Sequence, residues 1–221
     1  GALTDKSLLR KDAVRIFMHP LVQQLAALRL GEGETRAATE RAHAHYYHRL
    51  LAQLRRTIEI GDRDALRQVD VDLENCRVAW RWAITHEAPL PLAQSALSLV
   101  YYFEYRGRFD EGVALVEAAL ETGSSEADPK LRALLLGAVA QLEFRLDRYA
   151  EAMAIAERGR AAARLARDAD TQALNLQILG SCSLRLARHA DALRFLKQGL
   201  QQARAGSDPR RVAVILQNMA L

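Results

Sequence analysis

The chain has 221 residues, half of them hydrophobic, with 31 basic and 27 acidic side chains, a formal charge of +4 and a pI near 9.3. The two signs are interspersed along the whole length, the pattern of solvated helix faces, which argues against nucleic-acid binding by this segment. Two isolated cysteines, Cys76 and Cys182, exclude a disulfide framework or a zinc site and favour a reducing, cytosolic compartment; no apolar run approaches the roughly 18 residues of a membrane span.

Aromatics are only 6% of the chain while Ala, Leu and Arg dominate, a bias toward strong helix formers that predicts an all-α fold. The first 18 residues differ. "KSLLRKDAVRIFM" predicts two short strands around Lys11-Asp12-Ala13, a β-hairpin with Leu9 and Ile16 among the inward candidates, followed by a helix over Leu21 to Leu30. A helix is then predicted from Glu34 to Ile60, with Ala38, Ala42, Tyr46, Leu50 and Leu54 on an i, i+4 stripe. Gly61-Asp62 breaks the pattern, Asp62 being able to cap a second helix from about Leu66 to His86.

Beyond residue 88 the sequence repeats. "GRFDEGVALVEAAL", "DRYAEAMAIAERGR" and "ARHADALRFLKQGL" place Phe109, Tyr149 and His189 at intervals of 40 residues. Asp128, Asp168 and Asp208 keep the same register ahead of helical runs, with Pro129 and Pro209 where a first-turn proline costs no hydrogen bond; Pro89 fits one period earlier. Val100, Ala140, Gly180 and Ala220 form a small column, as do Gly112, Ala152 and Ala192, while Leu99, Val139, Leu179 and Met219 form a larger apolar one. Each unit is then a helical hairpin that must stack on its neighbours, predicting a right-handed α-solenoid with units 88–127, 128–167, 168–207 and a truncated 208–221. An apolar face left uncovered at the end suggests a fragment of a longer protein.

In "LQILGSCSLRLARHADALRFLKQGL", Leu179-Gly180, His189, Ala192, Leu196 and Gly199-Leu200 resemble the tetratricopeptide (TPR) consensus; Val116, Ala156 and Leu196 depart from it where an aromatic is usual. "ALTDKSLLRKDAVRIFMHPLVQQLAALRL" resembles the wing and last helix of the winged-helix domain in NB-ARC-type STAND signalling ATPases. "DLENCRVAWRWAITHE" with the segment after it resembles the lead into the TPR-like sensor arm of LuxR-type and SARP-type bacterial regulators. The resemblances imply the end of a winged-helix domain over 1–30, a helical linker region over 31–87 and TPR-like repeats over 88–221. In NB-ARC proteins the histidine of a Met-His-Asp motif lies beside the β-phosphate of ADP. Met18-His19 match that motif and Pro20 departs from it, so the resemblance implies that His19 senses ADP in the intact parent; the alternative is that His19 only ends a strand.

The chain holds no phosphate loop and no Gly-Lys pair, so no cofactor is expected in this segment, and ADP or ATP belongs to an upstream nucleotide-binding domain in cis. His43, His45 and His48 cannot all converge from one helix on a metal. Trp80 and Trp82 face different ways, one suited to the core and the other to a domain contact. Glu143 and Asp147 are expected on an exposed face, with no nucleophile or base beside them, and no catalytic residue is assigned. TPR-like first helices present a groove, and the register places Tyr101, Gln141 and Ser181 there, then Tyr105, Arg145 and Arg185, together with Gln177 and Gln217. Arg145 and Arg185 suit a carboxylate or phosphate of a protein or small-molecule effector; the alternative is a solvated repeat face. The expected role is a non-catalytic sensor region of a transcriptional regulator controlled by an ATPase, the alternative a TPR scaffold for protein partners without nucleotide control.

Overall fold

The computed structural model describes residues 9–11, 16–31 and 33–220, which divide into two compact units, Gly1–His43 and Ala44–Leu221. In the first unit β1 (Leu9–Lys11) pairs antiparallel with β2 (Ile16–Met18), Leu9 opposite Met18 and Lys11 opposite Ile16. Of the expected turn around Lys11-Asp12-Ala13, Lys11 belongs to β1 and the other two residues lie outside the described residues, as do the side chains of Leu9 and Ile16. Helix α1 (Pro20–Leu30) starts where the sequence changes period; Pro20 supplies its first turn, and Leu21, Leu25 and Leu28 stand exposed on it. Helix α2 runs Glu34–Glu59, and the division between the units falls inside it.

The second unit is helical among the described residues. After α2 come α3 (Arg63–Thr85), α4 (Pro89–Tyr105), α5 (Phe109–Leu120), the short α6 (Gly123–Ala127), α7 (Pro129–Arg145), α8 (Tyr149–Ala166), α9 (Ala169–Arg185), α10 (His189–Ala205) and α11 (Pro209–Met219). The 40-residue register holds at the level of single hydrogen bonds. Asp128, Asp168 and Asp208 cap α7, α9 and α11 by accepting backbone N–H groups, and Asp62 does the same for α3. Gly107, Asp147 and Ala187, at the hairpin turns, all adopt the left-handed conformation, with φ of 64°, 59° and 55°.

Packing follows the same order. Helix α4 lies against α5 and α7, α7 against α8 and α9, and α9 against α10 and α11. Leu99, Val139 and Leu179 are fully buried, and Met219 packs partly buried at the end of the column. The small columns mark close approaches: a Cβ on Gly180 would sit 2.6 Å from the Leu196 side chain, and one on Gly112 would sit 2.8 Å from Leu142. Trp80 is in the core and donates from Nε1 to the Leu115 carbonyl at 2.8 Å, tying α3 to α5; Trp82 is half-buried and stacks on His86. Both cysteines are buried free thiols, pushed by burial up to about 12, which leaves them protonated and inert.

Two sequence expectations are corrected. On α2 the stripe Ala38, Ala42, Tyr46, Leu50 and Leu54 meets the core only at its end: Tyr46 is 61% exposed and Leu54 packs partly buried, whereas Ala44, His48, Leu51 and Ile58 are buried. A strict spacing of four drifts around a helix of 3.6 residues per turn, and the buried set keeps the true period. Glu143 is buried and not exposed, because α7 is covered on most sides; its carboxylate reaches Arg148 at 3.2 Å.

His48 joins α2 to its neighbours. Its Nε2 lies 3.1 Å from the Ala79 carbonyl, to which it donates, and its Nδ1 lies 2.7 Å from the Ser95 hydroxyl, which itself donates to the Pro91 carbonyl at 2.9 Å. Burial pushes His48 from 6.5 down to about 4. Between those values the unfolded chain takes up a proton that the folded chain refuses, so stability is complete above the ordinary histidine range and falls as pH drops through it. Chemical denaturation should show about 3 kcal/mol lost from this source on acidification. His48→Gln should be less stable at neutral pH and lack that increment; equal pH slopes for the two proteins would reject the assignment. Ala187→Gly should raise stability by about 1 kcal/mol, because only the alanine pays for the left-handed turn. Thermal unfolding checks this, and a lower melting temperature in the variant would contradict it.

Candidate functional site

The end of α2 returns to the face shared by α4, α7, α9 and α11, and a cavity of about 360 Å³ remains there. Of the residues placed in a groove by the register, it brings together Tyr101 and Tyr105 from α4, Gln141 and Arg145 from α7, and Gln177 from α9. Three others lie elsewhere. Ser181 accepts a hydrogen bond from Asn218 at 3.0 Å, Gln217 is exposed on α11, and Arg185 lies over the Phe144 ring at 5.9 Å. Arg145 sits over that ring at the same distance, so the two arginines share an aromatic neighbour but not the cavity.

The cavity is built from opposed charges. Glu104 has a side chain only 9% exposed and accepts from Gln141 at 2.9 Å and Arg145 at 3.1 Å. Burial pushes its carboxyl above the usual carboxylate range, against the pull of Arg145 and Gln141. On the opposite wall Glu59 pairs with Arg210 at 3.0 Å, while its backbone carbonyl accepts the Tyr105 hydroxyl at 3.1 Å. Arg211 donates to the Gln177 carbonyl oxygen at 2.9 Å. Tyr101 is 8% exposed, burial pushes its phenol up, and its hydroxyl makes no hydrogen bond among the described residues.

Sequence reasoning missed Glu59, Glu104, Arg210 and Arg211. Arg211 carried a legible signal: in the 40-residue register it occupies the column of Pro91, Leu131 and Thr171, all buried, so a charge there needs a partner. Glu59 carried none, because it lies outside the repeats and arrives only through the course of α2.

A larger cavity, about 830 Å³, separates α2 from the starts of α4, α7 and α9, with Leu97, Leu131 and Leu174 in its lining. It shares Glu59 and Arg211 with the smaller cavity, and its other carboxylates are already committed: Asp128, Asp168 and Asp208 to helix caps, Asp208 also to Arg55 at 3.6 Å, and Asp170 to Ser207. Those groups hold helix starts, and the smaller cavity is the candidate site.

In the first unit His19 is the N-cap of α1, its Nδ1 accepting from the Leu21 N–H at 3.3 Å. Among the described residues no group of three His, Cys, Asp or Glu side chains is placed to hold a metal, and no helix is long and apolar enough to cross a membrane. No protein-family model matches the chain, and no curated protein matches it.

The Glu104–Arg145 pair is asymmetric in a testable way. Glu104→Gln removes a charge that burial penalises and keeps an acceptor for Gln141, so its stability at neutral pH should equal or exceed that of the wild type. Arg145→Gln leaves the buried carboxylate without its cation and should cost about 1–2 kcal/mol, tempered because Arg145 is half in solvent. Urea denaturation of both variants decides, and the reverse order would overturn this account of the pair.

Proposed function

We propose that the chain is a non-catalytic sensor and interaction region: a right-handed α-solenoid of TPR-like hairpins that binds an effector and couples it to an ADP/ATP switch upstream, in a STAND-type transcriptional regulator of the cytoplasm. The observation that carries the reading is the repetition of caps, left-handed turns and helix-on-helix packing at 40 residues, with a polar cavity on the face that collects register positions. A concave cavity open on one side and lined by Tyr101, Gln141 and Gln177 suits a small effector better than a flat protein surface would.

The residues before the repeats support the rest. Two paired three-residue strands followed by α1 agree with a winged-helix wing and its last helix, and the exposed Leu21, Leu25 and Leu28 form the surface that such a domain would cover. His19 stands at the joint with Nδ1 used by the helix start, so Nε2 is the atom that would reach an ADP phosphate in the parent protein. Effector binding acts as a population shift, and to release the switch it has to favour the open form over the ADP-bound one.

The test is made on the protein encoded by the whole reading frame. It should contain a phosphate loop before Gly1 and copurify with ADP, and His19→Ala should speed ADP release by about tenfold, the equivalent of one charge-assisted hydrogen bond. A frame with no nucleotide-binding domain, or ADP release unaltered by the substitution, would replace this reading with the scaffold one.

A further inference from the structure

Each guanidinium at the cavity has a carboxylate as its nearest partner except one. Arg145 meets Glu104 and Arg210 meets Glu59, but the closest acceptor of Arg211 is the neutral amide of Gln177. Asp208 stands 3.9 Å from Arg211, beyond hydrogen-bond reach, and is shared with Arg55 and with its own capping bond to the Arg210 N–H. Arg211 is nevertheless 7% exposed. A buried guanidinium offers five N–H groups and carries a full charge, so an amide partner leaves it under-compensated. Tyr101, almost as buried as a residue and with a hydroxyl that makes no hydrogen bond among the described residues, lines the same cavity.

We propose that this cavity binds a small organic monocarboxylate, its carboxylate on Arg211 with the Tyr101 hydroxyl as a second donor and its carbon body against Tyr105, Phe109 and Val214. Three guanidiniums in the lining meet two carboxylates, and the nearby Asp208 is shared between Arg211 and Arg55, so one positive charge stays in excess, which matches a monoanion. A phosphate carries about two charges near neutral pH and would meet Glu59 and Glu104 at short range. Two oxygens in a plane also suit the guanidinium fork. Glu59 is the internal competitor: its carboxylate already holds Arg210, beside the proposed position. The proposal rests on the cavity being the effector site but not on any nucleotide switch.

The experiment uses the 221-residue chain and ¹⁹F relaxation of trifluoroacetate, 4-fluorobenzoate and 4-fluorophenylacetate, with uncharged 4-fluorobenzamide as control and inorganic phosphate as competitor. At least one carboxylate should bind saturably and the amide should not. Tyr101→Phe, which keeps the ring and its packing, should weaken binding about fivefold, and Arg211→Gln by tenfold or more. Glu59→Gln should tighten it about threefold by removing the competing charge. Circular dichroism establishes that each variant is folded, and if Arg211→Gln is not, Tyr101→Phe and Glu59→Gln decide. Absence of saturable binding by all three acids, equal binding of the amide, displacement by equimolar phosphate, or unchanged affinity in Tyr101→Phe and Glu59→Gln would each overturn the proposal. Carboxylate binding in a protein without nucleotide coupling would refute the switch and leave this site standing, whereas coupling to an effector without carboxylate binding would do the opposite.

Discussion

The first helix of each hairpin has to be covered on nearly every side. In α4 every residue from Ser95 to Phe103 is buried, and α7 and α9 bury comparable sets that include Glu143 and Asn175. Such helices have little amphipathic pattern of their own and gain stability only by lying between neighbours. Helix α7 meets this requirement with α4 before it, α9 after it and α8 beside it, and α9 meets it with α7, α11 and α10. The regular spacing of caps and turns follows from that demand, since one displaced helix would uncover two others.

Complete coverage sets the terms on which polar groups enter. Asn175 donates to the Thr171 and Ala133 carbonyls, Ser183 to Leu179, and His48 is held neutral between Ser95 and Ala79. Each of these finds a backbone or hydroxyl partner, although the Asn175 Oδ1 is left without one, and none brings a net charge inside. Glu104, Arg145, Arg211 and Glu59 are different. They are charged, they cluster, and they surround a cavity that the helices do not fill. Buried carboxylates occur elsewhere too, Asp72 and Glu143 among them, but at this place the fold retains together a carboxylate pushed out of its ordinary range and a buried arginine paired with an amide. That combination directs attention to the cavity in a way that its size alone does not, since the larger cavity shares Glu59 and Arg211 with it and has its other carboxylates tied to helix starts.

The forty-residue period, the capping aspartates and the small-residue columns were legible because each depends on neighbours within one or two turns of chain. The left-handed turn was legible at Gly107 alone; Asp147 and Ala187 adopt the same conformation with residues that do not advertise it, because tertiary packing sets where the chain must turn. Tyr101, Tyr105, Gln141, Arg145 and Gln177 were assigned by register and do meet, whereas Ser181, Arg185 and Gln217 fall outside the cavity. Register specifies the face of a helix but not which stretch of that face another element covers.

By itself, then, the sequence determined a mostly helical chain with a short strand pair at its start, where most of its helices begin and end, and which columns pack. Those outcomes follow from local hydrogen bonds and from a period repeated often enough to average out single substitutions. The tertiary structure alone decided that α2 returns across the repeats, placing Glu59 beside Arg210 across some 150 residues of chain, and that Glu143 and His48 lie buried. Contacts at that separation depend on the course of every intervening helix, and no short stretch of sequence carries the information.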